Sequence, residues 1–384
     1  MTSTLSALAP ELPEVCTKDI VQNQAESPKQ AAKTATPLKV PAEEKMSISE
    51  WKKIVAPFTV PSLPRALWQV ANTLIPYVGM WFIMNWSLSV SYWLTLALAI
   101  PAGFLVVRSF IIFHDCGHGS FFKSKKANDF LGFITGMLTF TPYGHWTWQH
   151  AVHHQTSGDL DRRGEGDIWT LTVNEYLQSS PMRRFLYRVL RNPVILFVVA
   201  PLIMFFGYQR LCSPHAKGKD RKSVYLMNFA LACMVGGMMW LLGWKQYLMI
   251  QVPITMVAGM AGIWMFYVQH QFEDVYWEHR DEWDYTTAAI EGSSFYKLPK
   301  ILQWCTGNIG FHHVHHLSSR IPNYYLEACH NSHPMFYSVK PITFLSSLKC
   351  MHLRLFDEET KQLIGYRRLR EIRKDREAKL SLAA

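Results

Sequence analysis

Four long apolar stretches recur along the chain, at residues 67–86, 90–112, 224–242 and 247–268. A helix needs about 20 mainly apolar residues to cross the hydrocarbon core of a bilayer, and each stretch is close to or above that length. Short turns at 87–89 and 243–246 join the stretches in pairs. The pattern therefore predicts two transmembrane helical hairpins.

Two shorter apolar runs, 130–140 and 193–208, are predicted to associate with the membrane without crossing it. The basic loop 210–222 and the positively charged segment before the first span should both face the cytosol, because cytosolic loops carry an excess of Lys and Arg. This requires an even number of crossings between them, so 193–208 alone is not a crossing. The polar segments 113–191 and 269–384 then lie on the cytosolic side. We predict an all-α integral membrane protein with a cytosolic helical cap and both termini in the cytosol.

The composition agrees with a membrane protein. Hydrophobic residues make up 49% of the chain and charged residues only 18%, whereas typical soluble domains carry about 25% charged residues. The formal net charge of +10 suits positive-inside loops and anionic lipid, so we expect no nucleic-acid partner. The seven cysteines include no Cys-x-x-Cys pair, which favours free thiols in a reducing compartment.

The two polar ends of the chain are predicted to lie outside the membrane domain. Residues 1–48 lack the apolar core of a secretory signal and are too acidic for a typical transit peptide, so we expect a disordered cytosolic tail. Residues 49–366 are predicted to form the membrane domain and 367–384 a basic C-terminal tail. A helical pattern over 361–379 indicates a basic helix that either covers the cap, touches lipid headgroups or is simply solvated.

Histidines carry the candidate chemistry. The chain contains 16 of them, and three clusters have the spacing of a single helix face. The clusters are His114-Asp-Cys-Gly-His118, His150-Ala-Val-His153-His154 and His312-His313-Val-His315-His316, with His270 at the end of the fourth span. Residues three or four apart point the same way, so each cluster can aim two or three imidazoles at one point. All lie near span ends on the predicted cytosolic side, where they can converge without placing charge at the bilayer centre.

The number of candidate ligands indicates two metal ions. The nine candidates are His114, His118, His150, His153, His154, His270, His312, His315 and His316. A structural zinc ion would need only four ligands, usually with cysteine, and the pattern of two Glu-x-x-His pairs found in ferritin-type di-iron proteins is absent. Imidazole suits zinc, copper, iron and nickel. A histidine-rich site for two redox metals remains, with iron the natural choice for oxygen chemistry.

Metal-bound histidines usually donate their second N–H group to a carboxylate or carbonyl. Candidates that lie close enough in sequence are Asp115, Asp159, Asp161, Asp167, Glu273, Asp274 and Asn308. We predict no catalytic residue beyond the metal centre itself.

At these residues the chain resembles the membrane fatty acid desaturase family. The segments HDCGH, HAVHH and HHVHH match its three histidine boxes, and the surrounding FHDCGHGSFF, GDIWTLTVNEY, FYVQHQFED, EGSSFYKLPKILQWCTGNIGFHHVHHLS and IPNYYLEACH resemble its acyl-lipid branch. The similarity covers residues from about 50 to about 366 and is strongest to bacterial delta-5 and delta-12 (omega-6) enzymes. Each box alone is a weak indication, but the set is highly specific.

The resemblance implies a four-helix membrane stem, a cytosolic di-iron cap and a tunnel for an acyl chain. It implies ligand roles for the nine histidines, with the choice between His312 and His313 open and His145 off the ligating face. It further implies that dioxygen is activated at two iron ions to remove two neighbouring hydrogens and leave a cis double bond. Ferredoxin, or cytochrome b5 with its reductase, would supply electrons, since no Gly-x-Gly-x-x-Gly motif and no fused cytochrome b5 segment is present.

Other functions share part of this pattern. A carotenoid ketolase or hydroxylase, an alkane hydroxylase or an acetylenase would use the same histidine boxes with a different outcome. A membrane metal transporter would place ionisable residues inside its spans, and the four predicted spans contain almost none. The membrane would be the cytoplasmic one in a bacterium and the endoplasmic reticulum in a eukaryote. The double-bond position, the carrier of the acyl chain and the oligomeric state do not follow from the sequence.

Overall fold

The computed structural model describes residues 48–383. The predicted disordered tail, residues 1–48, therefore lies outside the described residues except for Ile48, which begins the first helix. The N-terminal helices are α1 (Ile48–Val55), α2 (Leu63–Ser87), α3 (Tyr92–Gly117), α4 (Lys125–Leu138) and α5 (Tyr143–Thr156). The middle of the chain forms β1 (Leu171–Thr172), α6 (Val173–Gln178), α7 (Pro181–Leu190), α8 (Ala200–Phe206), α9 (Gly218–Leu242) and α10 (Trp244–His270).

The C-terminal part consists of short elements and one longer helix. They are α11 (Tyr285–Ile290), β2 (Phe295–Lys297), α12 (Lys300–Cys305), α13 (His312–Leu317), α14 (Asn323–His330), β3 (Pro341–Thr343), α15 (Phe344–Cys350), β4 (Leu355–Asp357), β5 (Gln362–Ile364) and α16 (Tyr366–Ala383). Single turns of tighter or wider helix connect some of these elements, among them a π-helical turn at Ile195–Val199.

Three of the four predicted spans are helices long and apolar enough to cross a membrane, namely α3, α9 and α10. Helix α2 covers the first predicted span with 25 residues, but it is not among the helices that meet the hydropathy requirement. Polar residues of α2, such as Gln69 and Asn72, lower its mean hydropathy. Helix α7 and the segment Ile195–Arg210 meet the requirement only together, and they are bent by 61° as in a broken span or a re-entrant loop.

Helix α3 is the central element of the apolar stem. It packs against α2 through Tyr77 and Met84 and against α10 through Ile250 and Ile254, all of them buried. Helices α3 and α10 approach each other closely at Gly103, where an added Cβ atom would lie only 2.5 Å from Cγ1 of Val257. This packing holds the C-terminal ends of α3 and α10 side by side, and both ends carry candidate histidines.

The prediction of an all-α protein is wrong in one respect, because five short strands form two small sheets. Strand β1 pairs in parallel with β4, which pairs antiparallel with β5, and β2 pairs in parallel with β3. Each strand has only two or three residues, too few for the alternation of polar and apolar residues that announces a strand. The sheets connect loops rather than forming a layer of their own.

The predicted C-terminal helix over 361–379 also needs correction. Residues Gln362–Ile364 form β5, and the helix begins at Tyr366 and continues to Ala383. Gly365 separates the two elements at a point where a Cβ atom would lie 2.9 Å from the carbonyl oxygen of His352. Leu369 and Ile372 are buried in an apolar cluster with residues of β1, α6 and β4, so the helix packs against these elements through one face.

Candidate metal centre

Four helices bring the nine predicted histidines to one region. His114 and His118 lie at the C-terminal end of α3, His270 ends α10, and α5 and α13 each carry three of the nine. The nine form two groups in which the candidate ligand atoms all lie within 4.8 Å of one another. The five-histidine group consists of His114, His118, His150, His154 and His315, and the four-histidine group consists of His153, His270, His312 and His316.

The ring nitrogens of the five-histidine group converge closely. The Nε2 atom of His154 lies 3.1 Å from Nε2 of His150 and 3.0 Å from Nε2 of His315. The Nε2 atom of His118 is buried and has no hydrogen-bond partner among the described residues. Such an orphaned nitrogen is costly unless something else satisfies it.

The four-histidine group has the same character and is entirely buried. The Nε2 atom of His270 lies 3.1 Å from Nε2 of His153 and 3.0 Å from Nε2 of His312. The Nε2 atom of His316 is buried with no partner among the residues the structure describes. The two groups are adjacent, since the rings of His154 and His316 stack with their centroids 4.2 Å apart.

These arrangements fit metal ions. Two nitrogens at right angles on an ion, each about 2.1 Å from it, are about 3.0 Å apart, and the Nε2 separations in both groups are 3.0–3.1 Å. Burial also lowers the pKa of His118, His150 and His154 well below its usual value, with neighbouring histidines adding to the effect. The rings are therefore neutral at pH 7, which is the form that coordinates a metal.

Two carboxylates orient members of the groups. Oδ1 of Asp115 lies 2.9 Å from Nδ1 of His114, and Oδ1 of Asp167 lies 2.6 Å from Nδ1 of His153. Each carboxylate accepts the Nδ1–H and so leaves Nε2 free to face the group. Within residues 48–383 the other predicted partners, Asp159, Asp161, Glu273, Asp274 and Asn308, make no hydrogen bond to any of the nine histidines.

Two further histidines of the boxes lie elsewhere. Nε2 of His145 accepts the backbone N–H of Ser213 at 3.1 Å. Nε2 of His313 lies 3.0 Å from Nδ1 of His330, and neither His145 nor His313 belongs to a group. At the third box, the histidine in the group is therefore His312.

A cavity of about 490 Å³ reaches both groups. Its wall includes His114 and His150 from the five-histidine group and His312 from the four-histidine group. Most of the lining surface is apolar, and α3, α8 and α10 contribute many of its side chains; Gln149, Asp167, Arg191 and Gln269 are among the polar ones. The volume lies in the range of small-molecule sites. Sequence reasoning missed these lining residues because they come from segments far apart in the chain and share no motif.

The fold and the site together define a class of protein: a membrane protein in which two adjacent clusters of histidines, each able to hold a metal ion, border an apolar cavity. Comparison with known proteins identifies the family. Residues 90–343 match the family model described as fatty acid desaturase. The chain belongs to the fatty acid desaturase family and is an oxidoreductase, as the histidine boxes predicted.

Individual relatives agree with this assignment. The chain is 48% identical over 320 residues to a fatty acid desaturase of Bacillus subtilis (strain 168), covering 83% of this chain and 91% of that one. It is 26% identical over 292 residues to an sn-1 oleoyl-lipid 12-desaturase of Anabaena variabilis, covering 70% and 76%. It is also 26% identical over 251 residues to an sn-1 acyl-lipid omega-3 desaturase (ferredoxin) of Synechocystis sp. (strain ATCC 27184 / PCC 6803 / Kazusa), covering 64% and 67%.

Proposed function

We propose that this chain is an acyl-lipid desaturase that holds one iron ion in each histidine group and uses dioxygen to place a cis double bond in a membrane-lipid acyl chain. The observation that carries the proposal is the cavity, which borders histidines of both groups and is otherwise mainly apolar. A methylene chain in this cavity would lie directly beside the proposed metal centre. The nine grouped histidines are the proposed ligands.

Iron is the metal that fits both the reaction and the imidazole ligands. Imidazole accepts several metals, but desaturation is an oxidation, and zinc has no redox chemistry. When bound, the two irons would supply the activation of dioxygen that no side chain of the protein can provide. Asp115 and Asp167 would hold His114 and His153 in the orientation that keeps Nε2 available.

The electron balance requires an external donor. Removing two hydrogens from the chain supplies two electrons, whereas reduction of dioxygen to two waters takes four. Two further electrons and two protons must therefore enter for each double bond. One relative carries ferredoxin in its name, and this supports a ferredoxin-type donor.

The protein itself would hold the substrate and keep the site dry. Apolar side chains of α3 and α10, such as Phe110, Val106 and Phe266, line the cavity and favour a hydrocarbon over water. An activated oxidant is then protected from side reactions with solvent. The depth at which the chain sits would determine which carbons face the histidines.

The proposed topology has four spans, formed by α2, α3, α9 and α10, with the histidines on the cytosolic side. The basic side chains at the start of α9, Lys217, Lys219, Arg221 and Lys222, support this orientation. Both termini would then be cytosolic, and in a bacterium the protein would lie in the cytoplasmic membrane. We retain residues 49–366 as the proposed catalytic domain, between a tail of 48 residues and a basic C-terminal segment.

The test is expression of the intact chain in a host that makes only saturated and monounsaturated lipids, followed by mass spectrometry that locates new double bonds. The His315→Ala variant should lose the new double bond and bound iron. The exposed His352, which belongs to neither group, provides the matched control His352→Ala, which should keep both. Iron-loaded protein that forms no double bond with a working donor would refute the proposal.

A further inference from the structure

The two histidine groups differ in their distance from the protein surface. All members of the four-histidine group are buried, whereas His118, His150 and His154 of the five-histidine group are half-buried. Ala151 and Gln155, which flank these residues on α5, are exposed. A protein that docks from outside can therefore approach the five-histidine group more closely than the other group.

Three exposed basic side chains, Lys123, Lys126 and Arg320, lie on segments that adjoin the five-histidine group, and we define them as the basic patch. Lys123 and Lys126 lie between the end of α3 and the first turn of α4, and Arg320 lies just after α13. None of the three forms an ion pair within residues 48–383. The neighbouring acids Asp129 and Glu327 are already paired, with Lys125 and Lys300 respectively.

Hydrogen bonds connect the segments of the basic patch to one another and to the site. The hydroxyl of Tyr324 donates to the carbonyl oxygen of Phe121 at 3.2 Å. The backbone N–H of Asn323 donates to Oδ2 of Asp115 at 2.6 Å, and the other oxygen of this carboxylate contacts His114. The patch therefore has a defined position relative to the candidate ligands.

The basic patch lies at the end of the molecule away from the apolar stem. Helix α4 runs back along α3. Near the start of α4, Asn128 bonds to Phe122 in the loop after α3. Near the end of α4, a Cβ atom added at Gly136 would contact Phe113 on α3. Leu138, at the C-terminal end of α4, packs with the apolar core of the stem. The N-terminal end of α4 thus points away from the membrane, which favours a soluble partner over lipid headgroups.

We propose that the basic patch is the docking surface for an acidic, ferredoxin-type electron donor. This inference rests on the proposed function, because it concerns delivery of electrons to the iron in the five-histidine group. Each docked donor would give up one electron, and two external electrons are needed for each double bond, so two donors would be consumed per double bond. Opposite charges would increase the rate of encounter and align the donor.

The experiment uses the full-length, iron-loaded protein in lipid nanodiscs and a reduced plant-type ferredoxin. The patch variant Lys123→Glu/Lys126→Glu/Arg320→Glu is compared with a control variant carrying the same charge change on α16. Arg370, Lys374 and Lys379 suit the control because they are exposed and have no ion pair among the described residues. Stopped-flow spectroscopy measures oxidation of ferredoxin. Reduction with dithionite in the absence of oxygen, removal of the excess and addition of oxygenated buffer give a single turnover that measures activity independently of ferredoxin.

We expect the patch variant to oxidise ferredoxin at least about tenfold more slowly at low ionic strength, with a weaker dependence on salt, while dithionite-driven turnover is unchanged. The control variant should behave like the wild type. Equal slowing in both variants, or no slowing in the patch variant, would overturn the proposal. So would a loss of binding to anionic vesicles without a change in ferredoxin oxidation.

A second variant guards against damage to the site. If the charge reversal also lowers dithionite-driven turnover, Lys123→Gln/Lys126→Gln/Arg320→Gln is tested in the same way. Slower ferredoxin oxidation with normal dithionite turnover supports the docking surface, and any other result refutes it. A wild-type protein that binds ferredoxin but forms no double bond with either reductant would contradict the proposed function instead.

Discussion

Filling the cavity from one wall should abolish the ordinary reaction without unfolding the protein. Gly262 on α10 lines the cavity, and a Cβ atom at this position would meet nothing within 4 Å. It lies eight residues before His270, about 12 Å along the helix. The change Gly262→Leu therefore places a branched side chain in open space below the histidines.

The size of the effect follows from the methylenes that the new side chain displaces. Leucine brings four carbon atoms, so an acyl chain would have to withdraw about three or four methylenes from the cavity. At about 0.8 kcal/mol for each buried methylene, the loss is about 3 kcal/mol, or roughly two orders of magnitude in transition-state binding. Leucine favours a helix over glycine by up to about 1 kcal/mol, so the fold should persist.

Two further glycine-to-leucine variants separate filling of the cavity from the effects of adding leucine elsewhere and from loss of stability. Gly236 on α9 also has nothing within 4 Å of an added Cβ atom, but it does not line the cavity, so Gly236→Leu should retain normal activity. At Gly259 the added Cβ atom would lie 2.6 Å from Cβ of Pro201, so Gly259→Leu should lower thermal stability as well as activity.

The assay is fatty acid profiling of a host expressing each variant, with double bonds located by mass spectrometry and substrates of several chain lengths supplied. Gly262→Leu should lose activity on long chains and retain more on chains shorter by three or four carbons. Wild-type activity and double-bond position in Gly262→Leu would refute the assignment of this cavity to the acyl chain.

Three further predictions concern the surroundings of the site. Asp167→Asn should weaken iron binding by about 10- to 100-fold, measured as metal retained after dialysis, whereas the exposed Asp161→Asn should retain iron like the wild type. Gly103→Leu should lower the melting temperature, since overpacking costs about 1–3 kcal/mol and the added Cβ atom would meet Val257 at 2.5 Å; an unchanged melting temperature would contradict the close approach of α3 and α10. Burial lowers the pKa of His145, so the unfolded chain binds the proton first and the contribution of His145 to stability should fall as pH drops below about 6.5, by up to about 1.4 kcal/mol per pH unit; His145→Gln should make that part of a melting curve series between pH 7.5 and 5.5 less steep.

The sequence was informative wherever function depends on spacing within one helix. The i, i+3, i+4 patterns predicted that His150, His153 and His154 act together, and in the structure His150 and His154 belong to one group and His153 to the adjacent one. The same pattern over His312, His315 and His316 left the choice between His312 and His313 open, and the structure places His313 against His330 instead.

The division of the nine histidines into two groups did not follow from spacing. It depends on how four helices from distant parts of the chain meet, and no local pattern encodes that arrangement. The cavity lining and the basic patch were missed for the same reason. The small sheets were missed because strands of two or three residues, such as Leu171–Thr172, carry no periodic pattern.

The tertiary arrangement also assigns consecutive residues to different groups. On α5, His153 belongs to the four-histidine group and His154 to the five-histidine group, and on α13 His316 and His315 divide in the same way. Consecutive residues on a helix point about 100° apart, so a helix that passes between two points can serve both. In the proposed centre, α5 and α13 would each hold both ions, and a shift of either helix would displace ligands of both. The distance between the ions would therefore depend on the rigidity of these two helices, and the carboxylate of Asp167 on His153 and the packing of α13 in the cap contribute to that rigidity.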